Sequence, residues 1–532
     1  MTFSRLYGII EIRKEVIDMK KLLSVLLAVI LCLAAITPAF AAAEKTAFIV
    51  VSGMNTFPLY DGEGNKIFPM TTDTVLKMVS DILAPTAAYL ITRDSETFCD
   101  KTNPPIKAVF EPLACDKDGN SLYTVTTDTF DGSLTECADV FTSEDSDELG
   151  VVRAGMEKFG VENTFFFNYD WRLDPLEHAD ALNAFIKNVK ELTGCSRVAV
   201  AAFSMGGTVV CSYLYKYGSS DLASLQLCST AFQGTSCVGS LFTGDLEVDA
   251  EGLFRRLAQL TRSNFLENLI DVLNLKLTLI GFNRGLSAFV NGVCGPALPR
   301  VYKELLTPIF GYMPGLWALV DDVNYENAKS FMLGDEDCPE LIKRIDEYHY
   351  GVQARAKELL ENAAKDTNIY IIAQYNMQGL PISGTASKSN NDYLIDACYA
   401  SGGAVCAPLG ETLGEDYIQA KDTGFDCLSP DGQIDASTCM FPEYTFFIRD
   451  MGHVDYPYGG GADIVTYLAS SEKQLTVLDG AYPQFMTYSY EKNTLTDSNG
   501  RKPTSADGFF GFFKNILLKM ISFVRGIFNG KN

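Results

Sequence analysis

A mostly parallel β-sheet with helices on both faces is the architecture this sequence predicts, and three observations predict it. Short apolar runs at 46–52, 164–169, 198–203, 225–230, 368–374 and 444–449 have the length and composition of strands buried on both faces. Amphipathic stretches of helical period lie between them, at 74–83, 151–159, 178–192 and 209–217. Strand and helix alternate, and a strand that follows a helix returns parallel to its predecessor through a right-handed crossover. An apolar fraction of 47% is ample for a large core.

Taken in order, the chain opens with two segments outside this pattern. Residues 1–18 read as an upstream extension. Met19, Lys20 and Lys21 then precede an apolar run, 22–36, closed by Pro38-Ala39-Phe40-Ala41. A positive start, an apolar middle and an Ala-x-Ala end make a secretory signal peptide, cut after Ala41. The run is short for a membrane anchor, and Leu31 before Cys32 is too large for lipoprotein processing. A secreted or extracellular protein is therefore expected.

The first part of the core spans 42–243. Within it, 84–150 is rich in Asp, Thr and Ser, lacks periodicity, and reads as short strands and surface loops. Asp116-Lys117-Asp118-Gly119-Asn120 resembles the start of a calcium loop. Thr127 stands where that loop needs its twelfth-position Glu, so a turn is expected instead. Residues 244–365 break into helices, with apolar stretches at 269–282 and 312–320, and read as a cap inserted over the loop edge of the sheet. The core resumes over 366–500. From Phe509 onward Lys514, Lys519, Ser522 and Arg525 fall on one helical stripe, while Phe510, Phe513, Leu517, Met520 and Phe523 fill the remainder. This C-terminal amphipathic helix, within 503–532, fits contact with a membrane surface or docking on the domain.

The formal charge is −24, from 43 Lys+Arg against 67 Asp+Glu. A chain this acidic argues against nucleic-acid binding. There are 14 cysteines, of which Cys32 leaves with the signal peptide. Export permits disulfides, and Cys99/Cys115, Cys228/Cys237, Cys398/Cys406 and Cys427/Cys439 are near enough in sequence to pair, although spacing does not fix connectivity. Cys211 reads as a small buried apolar residue. With 3 histidines and no Cys-x-x-Cys, neither a zinc nor an iron site is expected, and no cofactor is implied.

The junction between the 198–203 strand and the helix after it reads Ala202-Phe203-Ser204-Met205-Gly206. Such a turn holds a nucleophile in a strained backbone conformation, and the residues two places to either side must be small to clear the neighbouring chain. Ala202 and Gly206 meet that demand. The following helix points its N–H groups and positive dipole end at Ser204, where charge on a bound carbonyl is stabilised.

A serine hydroxyl needs a base to take its proton and an acid to orient that base. On a parallel sheet with this elbow the chain order is serine, acid, histidine. His178 precedes Ser204, and His349 lies in a helical stretch of the cap. His453, in Asp450-Met451-Gly452-His453 directly after a strand, is the expected base. Asp392, in the loop after the 368–374 strand, is the expected acid, ahead of Asp396. The backbone N–H groups of Met205 and of Met54, the latter in the loop after the first strand, are the expected oxyanion donors.

The run Asn168-Tyr169-Asp170-Trp171-Arg172-Leu173-Asp174-Pro175, followed by Ala202-Phe203-Ser204-Met205-Gly206, resembles the lecithin:cholesterol acyltransferase family of the α/β-hydrolase superfamily. Ser52-Gly53-Met54 matches that family's Pro-Gly-x oxyanion loop, with Ser52 in place of proline. Asp392-Tyr393-Leu394-Ile395 matches its Asp-Gly-x-Val acid segment, with Tyr393 in place of glycine. Met451-Gly452-His453 fits its final histidine. Asp170 and Arg172 read as a structural ion pair under the site.

The resemblance implies an α/β-hydrolase fold and lipid acyl chemistry. Ser204 attacks a phospholipid or other lipid ester, an acyl-enzyme forms, and water or an alcohol collects the acyl group. Hydrolase and transferase share every residue named, and differ in the cap and in water exclusion. A secreted carboxylesterase or lipase on other esters, and a non-catalytic surface-binding protein on the same fold, are the alternatives.

Overall fold

The computed structural model of this protein describes residues 46–142, 149–260, 281–453 and 455–498, with positions 270, 273, 274 and 276–278 between them. Thr46–Thr193 and the described residues from Arg197 onward form one compact unit. The expected signal peptide, part of the 269–282 stretch and the expected C-terminal helix of 503–532 lie outside the described residues.

The sheet is built from β1 (Ala47–Val51), β2 (Thr164–Phe167), β3 (Val198–Phe203), β4 (Leu222–Cys228), β5 (Asn368–Tyr375), β6 (Thr445–Arg449), β7 (Phe485–Ser489) and β8 (Thr494–Asp497). Their order is β8-β7-β6-β5-β4-β3-β1-β2. Every neighbouring pair is parallel except β7 and β8. This mixed α/β sheet is of the α/β-hydrolase type. Each predicted run contains a strand. β7 and β8 escaped the sequence pattern because β8 is a short edge strand, mostly exposed, with no continuous apolar run.

The helices include α1 (Thr72–Thr92), α2 (Ser95–Phe110), α3 (Gly150–Phe159), α4 (Pro175–Thr193), α5 (Gly206–Tyr217), α6 (Ala250–Leu260) and α7 (Gly461–Ala469), of which α3, α4, α5 and α7 pack on this sheet. Strand alternation sorts the residues between its two faces. Phe48, Val50, Ala199, Ala201 and Phe203 share one apolar cluster with Val151, Val152, Ile464 and Val465, so α3 and α7 cover that face. Burying each large apolar side chain is worth roughly 1.5–3 kcal/mol. Gly155 lets α3 approach closely, because a Cβ there would lie 2.7 Å from the Phe48 ring. The alternate residues Ile49, Val51, Val198 and Val200 turn to the other face, against which α4 and α5 pack together.

The segment 84–150 corrects the sequence reading. It opens not on surface loops but on the second half of α1, which extends the helix expected over 74–83, and on α2, and the two helices pack on each other. Pro85, Pro104 and Pro105 inside them read as breakers. The caps outweigh that signal: Thr71 Oγ1 accepts from Thr74 N at 3.2 Å and Asp94 Oδ1 from Thr97 N at 3.1 Å. Tyr89 and Phe98 stack at 4.5 Å across the pair. At Asp116 the expected turn is present, with Oδ1 accepting from the N–H groups of Asp118 and Asn120.

The described residues of 244–365 are mostly helical. The last of these helices, Ala356–Ala363, packs against α5 and leads into β5, the position of a crossover helix. Cys99 and its twelve described companions are all free thiols, so none of the sequence-adjacent pairs is joined. Cys99 faces the carbonyl of Ala297 instead of Cys115. Cys211 is fully buried on α5, and desolvation pushes its thiol pKa up to about 12.

Candidate active site

The parallel strands deliver their following loops to one edge of the sheet, where ligand sites of such folds form. The turn after β3 carries Ser204, in the left-handed region at φ 50°. A non-glycine residue is strained there, and the surroundings hold it. The Ser204 carbonyl accepts from Gly207 N at 3.2 Å and Ala231 N at 3.0 Å, while its N–H donates to the Cys228 carbonyl at 3.3 Å. A Cβ on Gly206 would lie 2.6 Å from the Ser52 carbonyl oxygen, so the small flank is a steric requirement. Gly53 is under the same pressure, since its Cβ would stand 2.8 Å from Ser204 Cβ.

From the loop after β6, His453 Nε2 meets Ser204 Oγ at 2.8 Å. Its Nδ1 lies 2.8 Å from Asp392 Oδ2. A carboxylate oxygen only accepts, so Nδ1 carries the proton and Nε2 is free to accept from the hydroxyl. The backbone joins the same pair, with His453 N donating to the Asp392 carbonyl at 2.6 Å. Asp392 is fully buried, and its other oxygen accepts from Leu394 N at 3.0 Å and Ile395 N at 2.8 Å. The carboxylate thus accepts from three donors, which is how it survives burial. A hydroxyl, an imidazole and a carboxylate in this line can pass the hydroxyl proton to Nε2 while the carboxylate stabilises the imidazolium.

Among the described residues no acceptor takes the N–H of Met54 or of Met205, which leaves both available at the elbow. The Asn168–Arg172 run holds the Met54 loop from beneath. Ser52 Oγ donates to Asn168 Oδ1 at 2.9 Å, and the Tyr169 hydroxyl donates to the Ser52 carbonyl at 3.1 Å. Arg172 is fully buried, clamps Asp170 through Nε at 2.9 Å and Nη2 at 2.5 Å, and reaches the Leu113 carbonyl at 2.8 Å. Asp170 and Arg172 therefore tie the surrounding loops together rather than facing Ser204.

The other sequence candidates have separate employment. Asp396 accepts from Ser236 N and Ser236 Oγ at 2.8 and 2.7 Å, anchoring the helix at Ser236–Thr243. His178 bonds the Asp170 carbonyl at 2.7 Å, and desolvation lowers its pKa. His349 bonds Gln353 and stacks on Tyr325 at 3.6 Å, and burial lowers its pKa too. Among the described residues no cluster of three His, Cys, Asp or Glu side chains is arranged to hold a metal.

Sequence reasoning missed the supports of the histidine loop. Gly452 N donates to the Tyr490 hydroxyl at 2.9 Å, and that hydroxyl donates to Asp455 at 2.7 Å. Tyr456 is buried, with its hydroxyl 3.0 Å from Ser229 Oγ, and Ser229 itself sits at φ 48°. Nothing in local pattern marks these residues, because each acts across a long sequence separation.

No known family profile matches the chain, and no curated protein matches it. Among solved structures it is similar to a chain of the crystal structure of the Tle4–Tli4 complex. The identity is 9%, the overlap covers 80% of this chain and 97% of that one, and the TM-score is 0.29. A likeness of that size supports no assignment of function.

Proposed function

We propose that this protein is an exported, serine-dependent lipid acyl hydrolase or O-acyltransferase of the lecithin:cholesterol acyltransferase type. Ser204 is the nucleophile, His453 the general base, Asp392 its orienting acid, and the N–H groups of Met54 and Met205 the oxyanion donors. The reading is carried by one observation, the Ser204 Oγ–His453 Nε2–Asp392 Oδ2 line with both contacts at 2.8 Å. Ser204 Oγ bonds to the ester carbonyl carbon as its proton passes to Nε2. The leaving alcohol takes that proton as the C–O bond breaks, and water or a second alcohol repeats the sequence on the acyl-enzyme.

A lipid substrate is supported by the apolar side chains that two helices expose. Leu253, Leu257 and Leu260 on α6, and Leu76, Leu83 and Ile91 on α1, expose large apolar side chains to solvent. Exposed apolar side chains of this kind suit a lipid more than a small soluble ester. Export follows from the Met19–Ala41 pattern. N-terminal sequencing of protein recovered from the medium should begin at Ala42.

Labelled phospholipid incubated with the purified protein, with and without an alcohol acceptor, tests the chemistry. Release of free fatty acid identifies a hydrolase, and ester formed on the acceptor identifies a transferase. Ser204→Ala should lose about 10⁴-fold or more of either turnover. Turnover restricted to small soluble esters would return the carboxylesterase reading, and no turnover in the wild type a binding protein.

A further inference from the structure

In the acid segment Tyr393 stands where the resembled family has glycine, and the backbone there has a conformation that suits glycine. Tyr393 lies at φ 96°, well inside the region that a bulky residue rarely occupies. Its ring packs on Gly452, where a Cβ would lie 2.5 Å from Cε2. Something outside the loop has to hold this conformation. Arg256, from helix α6 of the cap block, does so. Its Nη1 donates to the carbonyls of Tyr393 and of Gln378, each at 2.9 Å. Its guanidinium also covers the Tyr393 ring, 5.0 Å from the centroid.

The contact reaches the chemistry through a single peptide group. The carbonyl that Arg256 engages and the N–H of Leu394 belong to the same planar unit. That N–H donates to Asp392 Oδ1 at 3.0 Å, and the other oxygen of the same carboxylate meets His453 Nδ1 at 2.8 Å. A cation on a peptide oxygen fixes the plane and polarises the N–H, strengthening the bond it donates.

We propose that Arg256 is a positioning residue for the proposed acyl-transfer reaction. Acting through the 393–394 peptide, it aims the Asp392 carboxylate at His453 and makes triad geometry depend on how α6 is seated. Gln259 reinforces that seat, accepting from Gln378 N at 2.7 Å and donating to the Asn376 carbonyl at 3.2 Å. The inference rests on the triad reading.

The test uses Arg256→Met, which keeps the stem and removes the donors, and Arg256→Lys, which keeps the charge but has only one small head for two carbonyls. Two quantities are read in the full chain. One is kcat and KM on an ester the wild type turns over. The other is the far-downfield proton resonance of His453 Nδ1–H, assigned by its loss in His453→Ala. Arg256→Met should lose about 10–100-fold in kcat with KM within about twofold, the scale of a small misplacement of reacting groups. Its resonance should move upfield, and Arg256→Lys should fall between wild type and Arg256→Met in both readouts.

A folded Arg256→Met with wild-type kcat and an unmoved resonance would overturn the proposal. So would a loss of kcat with the resonance unmoved, which is the signature of lost packing alone. If Arg256→Met does not fold, an Arg256→Lys protein identical to wild type in both readouts overturns it. The resonance needs no turnover and can be read on the Ser204→Ala background. Failure of Ser204 as nucleophile therefore stays distinguishable from failure of the Arg256 link.

Discussion

On the serine side of the site the constraints are steric and met by small residues packed against the elbow, whereas on the carboxylate side they are carried by hydrogen bonds from residues far away in the chain. Ser204 is held at φ 50° by the geometry of β3, α5 and the two glycines that let the β1 loop and the elbow touch. Asp392 is held by a turn whose own conformation depends on Arg256, and by His453 from a loop pinned through Tyr490 and Tyr456. A local motif can be written in five residues. An assembled one cannot, and it offers more places at which distant changes alter its geometry.

The sharpest way to break the comparison is to separate the two acidic residues of the carboxylate side. Asp392→Asn should cost on the order of 10⁴-fold in kcat, because an amide no longer fixes the Nδ1–H tautomer. Asp396→Asn should keep kcat and instead lose roughly 1–3 kcal/mol of stability, since it weakens the bonds to Ser236. Steady-state kinetics beside thermal unfolding distinguishes them, and the reverse pattern would move the acid to Asp396.

This contrast also accounts for how much was legible beforehand. The strand runs, the elbow and the chain order of Ser204, Asp392 and His453 follow from periodicity and from sterics acting within a few residues. The second half of α1 and the whole of α2 did not, because 84–110 shows no apolar period and carries Pro85, Pro104 and Pro105 inside the helices. Arg256 was invisible for another reason: its helix presents leucines to solvent and polar side chains inward, opposite to the usual orientation. The tyrosine at 393 was the available signal. A bulky residue where a left-handed backbone is expected calls for an external support.

On the serine side the expected effect is smaller but should remain local. Gly53→Ala puts a Cβ 2.8 Å from Ser204 Cβ, so the loop after β1 must retreat. A loss of about 10²-fold in kcat is expected, with little change in the melting temperature. A comparable loss of stability and activity together would show that the β1 loop is part of the core rather than a local constraint.

The smallest predicted effect lies beneath both halves, at the start of α4. Asp174 is buried and accepts from Leu176 N at 2.8 Å, yet desolvation raises its pKa to about 6 from 3.8. The folded state thus binds this proton more tightly than the unfolded one. Its contribution to stability is present below pH 3.8 and is lost as pH rises through about 6, on the order of 2–3 kcal/mol. Asp174→Asn keeps the acceptor and should flatten that fall, leaving the variant more stable than wild type at pH 8. Denaturant melts across the window check the sign.

The central claim is that Ser204 is deprotonated by His453 within a working triad. Mass spectrometry after treatment with a phosphonate ester at neutral pH measures it most directly. A single stoichiometric adduct on the peptide containing Ser204, absent from His453→Ala, is the predicted result. Wild-type protein left unlabelled at Ser204, or labelled there equally well without His453, would contradict it.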